Sequence, residues 1–373
     1  TTLYHLIFVV KIKNNMRVCI LGDGLASLTL AKALVNQKIN VDVIIKKKSF
    51  SINQTRTIGI SKSNIDYYKS QIIDIEKIIW KLNKIDIFTE NLKNEKLIKF
   101  ESNSEYLFSI IKNCDLIKIL NKNLEKNSYF KKLYTINNNF LKDDYNLVVN
   151  TDQNNFISKK FFSKKIIKKY NSVAYTTIIT HEKLSNNIAT QIFTKMGPLA
   201  FLPISNNKTS IVYSIHNLNN KKKENIYDLI KNYNFKYKIN KIQKLEKFEL
   251  KSLFLRSYHH DNILAFGDLL HKIHPLAGQG FNMTIRDIKI LIEIIKRKIS
   301  LGLPLDKSIN LEFENKLRHK NLIFSNGIDI VHEIFNFERK IDNNLLSKSI
   351  QLIGKNPSIN KIFTKIADQG ILF

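Results

Sequence analysis

The sequence predicts an α/β chain with more than one domain: a Rossmann-like βαβ unit near the start, a sheet-rich middle and a helical end. Three observations carry this. A strand, a glycine turn and an apolar-periodic helix follow one another over 17–45. From about 170 to 255 the apolar pattern changes to period-two alternation, and after about 281 it returns to helical spacing. At 373 residues and 43% hydrophobic content, the chain is long enough to bury a large core in two or three domains.

Taken in order, residues 1–15 start with Thr1 and end in Lys13, Asn14 and Asn15, so they read as a loosely attached upstream extension. They lack the small-residue cleavage site of a secretory signal. Residues 17–21 form a short buried strand, Gly22-Asp23-Gly24 a tight turn, and Leu25, Leu28, Leu30, Ala31 and Leu34 the inner face of a helix. Residues 41–45 supply the second strand. Residues 61–80 are expected to be helical, ending near Trp80, and 105–126 to form an amphipathic helix. A buried strand follows at 146–150. The alternation at 173–179 and 209–215 predicts an antiparallel sheet with one covered face. Residues 263–266 are a strand, 281–300 a long helix stopped by Gly302 and Pro304, and 308–373 helices throughout.

Several classes are excluded. No apolar run approaches the roughly 18–20 residues of a membrane-spanning helix. Two cysteines, Cys19 and Cys114, make no disulfide framework and no zinc ligand set, and they fit a reducing cytoplasm. The net charge of +28 invites a nucleic-acid reading, but only seven of the 60 basic residues are Arg. Nucleic-acid surfaces favour Arg for its bidentate contacts, so lysine filling solvated surface explains the charge better. What remains is attraction toward an anionic membrane, with Lys46-Lys47-Lys48, Lys164-Lys165-Lys168-Lys169 and Lys221-Lys222-Lys223 as the dense groups.

Two motifs carry chemistry. The first is Gly22-x-Gly24-x-x-Ser27 between strand and helix, whose glycines let the backbone approach a pyrophosphate at the helix start. It departs from the usual pattern at Ser27, where a third glycine is common, and at Ile45, where an acid would bind the ribose. An ordinary βαβ turn is the other reading of this motif. The second runs from Gly267-Asp268 through His271, His274 and Pro275 to Gly278-Gln279-Gly280-Phe281-Asn282. A strand ending in Gly-Asp puts a carboxylate at the edge where open α/β sheets bind ligands, and Gly278 and Gly280 free backbone N–H groups before a helix. His271 and His274 read either as acid/base groups or, more simply, as turn architecture.

Together these motifs resemble the flavin-dependent aromatic hydroxylases of the p-hydroxybenzoate hydroxylase fold, and among them the ubiquinone-biosynthesis hydroxylases. The resemblance extends over nearly everything from Met16 onward, including 56–61, Trp80 and the Gly197-Pro198-Leu199-Ala200-Phe201-Leu202-Pro203 stretch. It implies a Rossmann-like FAD-binding domain with an inserted β-sheet substrate domain and a C-terminal helical segment. The expected division is an extension at 1–15, an FAD domain from 16–80, 101–170 and 256–308, a substrate domain from 81–100 and 171–255, and helices over 309–373.

The implied cofactor contacts are Gly22, Gly24 and Ser27 at the pyrophosphate, Asp268 near the ribityl chain, and Pro275, Gly278, Gln279, Gly280, Phe281 and Asn282 around the ring system. Arg56 is a further FAD-side contact or a structural ion pair. Phe193, Leu199 and Phe201 are the expected lining of the substrate pocket. The chemistry implied is flavin-based, with NAD(P)H as reductant, O2 as co-substrate, and neither a side-chain nucleophile nor a metal. The substrate implied is a polyprenylated phenol on the way to ubiquinone, met in the cytoplasm at the inner face of a membrane, in contact with a biosynthetic complex. Gln153, where a glycine is usual, and Leu269-Leu270, where a small pair is usual, add to the departures at Ser27 and Ile45. They support an alternative: a degenerate, non-catalytic relative with a structural role in that complex.

Overall fold

The computed structural model describes residues 16–45, 54–92, 95–101, 106–134, 145–216, 225–274, 278–341 and 345–370. The extension at 1–15, Pro275 and the groups Lys46–48 and Lys221–223 lie outside the described residues.

A six-stranded sheet forms the first layer, in the order His259–His260, Ile263–Ala265, Leu147–Asn150, Arg17–Leu21, Asn40–Ile45, Phe130–Tyr134. All of its pairings are parallel except the edge pair His259–His260 with Ile263–Ala265. Parallel strands are covered on both faces, which is why they read as unbroken apolar runs. Helix Leu25–Val35 covers one face, with Leu28, Leu30, Ala31 and Leu34 fully buried. Helix Gln279–Ser300 packs beside it and buries Ile285, Ile288, Leu291, Ile292 and Ile295. The expected strands and helices of this unit are present to within two residues at their ends.

A second, large sheet runs His271–Lys272, Glu246–Leu255, Lys165–His181, Lys208–His216, Gly197–Ser205, Ile188–Thr194, Lys84–Thr89, Lys96–Glu101. It is antiparallel apart from one parallel pairing, Ile188–Thr194 with Lys84–Thr89. Helix Ile226–Asn232 covers its outer face with Ile230.

Two helical expectations are corrected. Residues 61–80 are α-helical only over Lys62–Tyr67, continue as a wide π turn over Tyr68–Ile72 and a short 3-10 turn over Glu76–Ile78, and end in the strand Trp80–Leu82. The crowd of β-branched residues there, Ile72, Ile73, Ile75, Ile78 and Ile79, disfavours helix. The Trp80 indole N–H is spent instead on the Asn186 carbonyl, 2.6 Å away. Similarly, 105–126 divides into the strand Phe108–Lys112 and the helix Asn113–Leu124. With Thr57–Ser61 these strands make a small three-stranded antiparallel sheet between the two large ones.

The helical end comprises Ser308–Ile341, Leu345–Lys355 and Pro357–Gln369. The last two lie along the edge strand Lys96–Glu101: Gln351 Nε2 donates to the Lys96 carbonyl and Asn360 Nδ2 to the Lys99 carbonyl, each at 2.9 Å.

Candidate active site

A cavity of about 1560 Å³ lies between the parallel sheet, the large sheet and the two final helices. One wall is backbone. Gly22 has φ +108°, a conformation that favours glycine, and a Cβ there would sit 2.5 Å from Thr151 Oγ1. A Cβ at Gly24 would instead meet nothing within 4 Å, so that backbone faces open space. Gly24 is the N-cap of helix Leu25–Val35, and no side chain caps it. The same holds at Gly278 (φ +64°), N-cap of Gln279–Ser300. Two helix N-termini with no side-chain cap among the described residues thus border one cavity, and each carries the partial positive charge that favours an anion.

Of the expected cofactor contacts, Gly22, Gly24, Arg56, Asp268, Gly278, Gln279, Gly280 and Phe281 all line this cavity. Ser27 and Asn282 do not. Ser27 is fully buried, with its hydroxyl 2.7 Å from Thr151 Oγ1, so it joins the helix to the strand behind the turn. Asn282 is a staple. Its Oδ1 accepts from Ser61 N and Asn64 Nδ2 at 2.9 Å, and its Nδ2 donates to the Gly59 and Gly278 carbonyls at 3.0 and 3.2 Å. It fixes the loop against the strand Thr57–Ser61 and has no amide capacity left for a ligand.

The departures from the usual motif are absorbed. Gln153 Nε2 donates to the Asp268 carbonyl, tying the two loops together. Leu269 and Leu270 are buried in the core. Ile45 lines the cavity as an apolar contact.

The substrate residues need correction. Leu199 and Phe201 point to the opposite face of the large sheet, into a cluster with Ile211, Ile230 and Tyr237. Side chains alternate along a strand, so their neighbours Pro198, Ala200 and Leu202 are the ones that line the cavity. Phe193 shares the cavity-side face with its partner Pro198, but its ring is stacked on Phe335 of helix Ser308–Ile341, with centroids 3.5 Å apart. Gln191, Thr176, Val212 and Ser214 complete this wall and were missed. The signal for them was the alternation itself, which fixes two faces and leaves open which one is covered by helix.

His271 lines the cavity, with its Nε2 bonded to the buried Asp287, which also accepts from Asn321 Nδ2 at 3.1 Å. His274 is also buried, edge-on to Tyr170 and 4.4 Å from the His332 ring, with neither ring nitrogen hydrogen-bonded. Burial first, then the neighbouring His332 and His216, push its pKa down to about 3. Burial and His216 push His332 down to about 4. Lys272, on the cavity wall, is lowered by burial, against the pull of Asp268.

These residues fit an FAD. The positive-φ glycines and the open backbone at Gly24 make a cradle for a pyrophosphate, and Gln279 Oε1, beside the second helix start, is a buried acceptor with no partner among the described residues. No group of three or more His, Cys, Asp or Glu among the described residues is placed to hold a metal.

Comparison with known proteins agrees. Residues 165–300 match a family model described as an FAD binding domain. The chain is 22% identical to the ubiquinone biosynthesis monooxygenase COQ6 of Drosophila melanogaster, over 92% of this chain and 88% of that protein. It is 29% identical to the 3-demethoxyubiquinol 3-hydroxylase of Escherichia coli, over 39% of each chain. Among solved structures, p-nitrophenol 4-monooxygenase of Pseudomonas putida superposes with a TM-score of 0.72 at 13% identity, covering 95% of this chain and all of that one. HpxO of Klebsiella pneumoniae complexed with FAD and uric acid gives 0.69 at 12% identity, covering 96% and 98%.

Proposed function

We propose that this chain, which belongs to the FAD-dependent hydroxylases of the p-hydroxybenzoate hydroxylase fold, hydroxylates the ring of a polyprenylated phenol in ubiquinone biosynthesis. The single observation that carries this is one cavity bordered by two uncapped helix N-termini and faced by a sheet wall of small and apolar side chains. FAD, when bound and reduced by NAD(P)H, supplies the oxygen activation that puts one atom of O2 into an electron-rich ring.

The residues divide the remaining work. Gly22, Gly24 and the start of helix Leu25–Val35 hold the pyrophosphate, and Asp268 and Arg56 the segment beside it. Gln279, Gly280 and Phe281, fixed by the Asn282 staple, position the ring system. Ala200, Leu202 and Val212 seat the substrate ring and keep water from the reacting face. The neutral state of His274 keeps charge out of the same space. The cofactor domain is assigned to 16–80, 101–170 and 256–308, the substrate domain to 81–100 and 171–255, and the helical tail to 309–373. Among the described residues no helix is long and apolar enough to cross a membrane. A lipid-borne phenol and its biosynthetic partners are met by peripheral contact.

The test is the visible spectrum of the purified protein with and without added FAD, followed by NAD(P)H oxidation with a prenylated phenol and mass spectrometry of the product. Flavin bands shifted from those of free FAD, and a product heavier by one oxygen, are expected. A protein that stays colourless after FAD is added and unbound flavin removed overturns the enzyme reading and leaves the structural role in its place.

A further inference from the structure

We propose that the helix pair Leu345–Lys355 and Pro357–Gln369 is a docking surface for an anionic lipid bilayer, set beside the mouth of the cavity. On a helix of 3.6 residues per turn, Ile359, Ile362, Phe363 and Ile366 share one stripe. None of the four lines the cavity, whereas Asn360, Lys361, Thr364 and Lys365 do. One side of this helix therefore closes the cavity, and the other presents apolar surface outward. Ile362 and Phe363 are 57% and 43% exposed, and on the preceding helix Leu352 reaches 69%. Side chains of this size left in water on two successive helices call for a partner.

Charge identifies the partner. Lys348, Lys355, Lys361 and Lys365 are exposed on the same two helices. The one acid on them, Asp368, is turned inward: its Oδ1 accepts from Ser63 N at 2.9 Å and its carbonyl from Ser61 Oγ at 2.8 Å. An apolar stripe flanked by lysine and free of outward acid is the pattern of a helix lying in a lipid interface. A second copy of this chain fits poorly, because a two-fold contact sets the same lysine-bearing patch against itself with no outward acid on these helices to offset it. An anionic bilayer satisfies both the stripe and the charge, at about 1 kcal/mol for each lysine near the surface. The geometry also sets lysines 361 and 365 at the boundary between stripe and cavity, so a chain-bearing phenol would pass from lipid to cavity without crossing water. That last step rests on the hydroxylase reading; the docking itself does not.

The experiment uses the full FAD-loaded protein. It is sedimented with vesicles of phosphatidylcholine alone and with phosphatidylglycerol added, at low and high salt. Binding is expected to need the anionic lipid and to weaken with salt. Replacing Phe363→Glu with Ile366→Glu, or separately Lys361→Gln with Lys365→Gln, is expected to weaken it by about tenfold or more. Leu311→Glu, an exposed apolar position on the long helix, leaves it unchanged. Melting temperature and bound-flavin absorbance show that each variant is folded, and the lysine pair, being exposed, guards against a misfolded stripe variant. Vesicle binding that survives both pairs of substitutions overturns the proposal. So does a dimer in lipid-free light scattering that Phe363→Glu dissociates while vesicle binding persists. Intact docking with no hydroxylation of detergent-dispersed phenol would keep the docking and sink the hydroxylase reading alone.

Discussion

The two long walls of the cavity are built from different materials. The wall at Gly22–Ala26 and Gly278–Phe281 is largely peptide: its function lies in backbone conformation and in two helix starts with no side-chain cap among the described residues. The wall at Gln191, Ala200, Leu202 and Val212 is side chain, carried on strands whose other face is core. The first can be damaged only by changing what the backbone is able to do. The second can be reshaped by one substitution, and the strand position decides whether that substitution changes the ligand or the stability.

The sharpest break of this contrast is between neighbours. Leu199→Ala empties space in the outer cluster and is expected to cost about 2–5 kcal/mol of stability while leaving flavin binding intact, as urea unfolding and flavin absorbance would record. Ala200→Phe, one residue on, is expected to leave the melting temperature within a few degrees and weaken binding of a prenylated phenol at least about tenfold, the steric cost of an overfilled site. Next in size is Gly22→Val. It forces a β-branched residue to φ +108° and drives its Cβ toward Thr151 Oγ1, so FAD affinity, followed by fluorescence titration, should fall about a hundredfold.

The pH response comes third. His274 and His332 are held neutral in the fold down to about 3 and 4, against an ordinary value of 6.5. The unfolded chain therefore takes up these protons first, and stability present above 6.5 should be lost progressively as pH falls toward 4. His332→Gln should flatten that decline in melting temperature; an unchanged slope would assign it to other groups. The smallest expected effect is Ile45→Glu, which puts a carboxylate at the strand end where a ribose hydroxyl would be met. A gain of about fivefold in FAD affinity is expected from one charge-assisted hydrogen bond.

The backbone wall was legible in the sequence because glycine spacing encodes it directly: Gly22, Gly24, Gly278 and Gly280 stand where the chain turns, whatever the side chains around them do. The parallel strands were legible for a similar reason, since burial on both faces leaves an unbroken apolar run. The side-chain wall was harder. Both faces of the strand Gly197–Ser205 carry apolar residues, and only the helix Ile226–Asn232 decides that Leu199 and Phe201 turn outward to it. Phe193 sits on the correct face, yet Phe335, more than a hundred residues later, covers it. Residues 61–80 failed differently: a helical apolar period was satisfied by a short helix, a π turn and a strand whose Trp80 pairs with Asn186. In each case the deciding neighbour is distant in sequence.

The clasp between Asp368 and the pair Ser61 and Ser63 joins positions about 305 residues apart. It also sets an order of events during synthesis. The ribosome releases the βαβ segment early, well before the strand Leu147–Asn150 that pairs with its first strand. The cavity, however, has no final wall until the helix Pro357–Gln369 emerges. A nascent chain thus carries the Gly22 turn long before it carries the helix that closes the cavity. Cofactor retention should begin only once this helix is made, so truncation near residue 356 would turn a captured flavin into an exchangeable one.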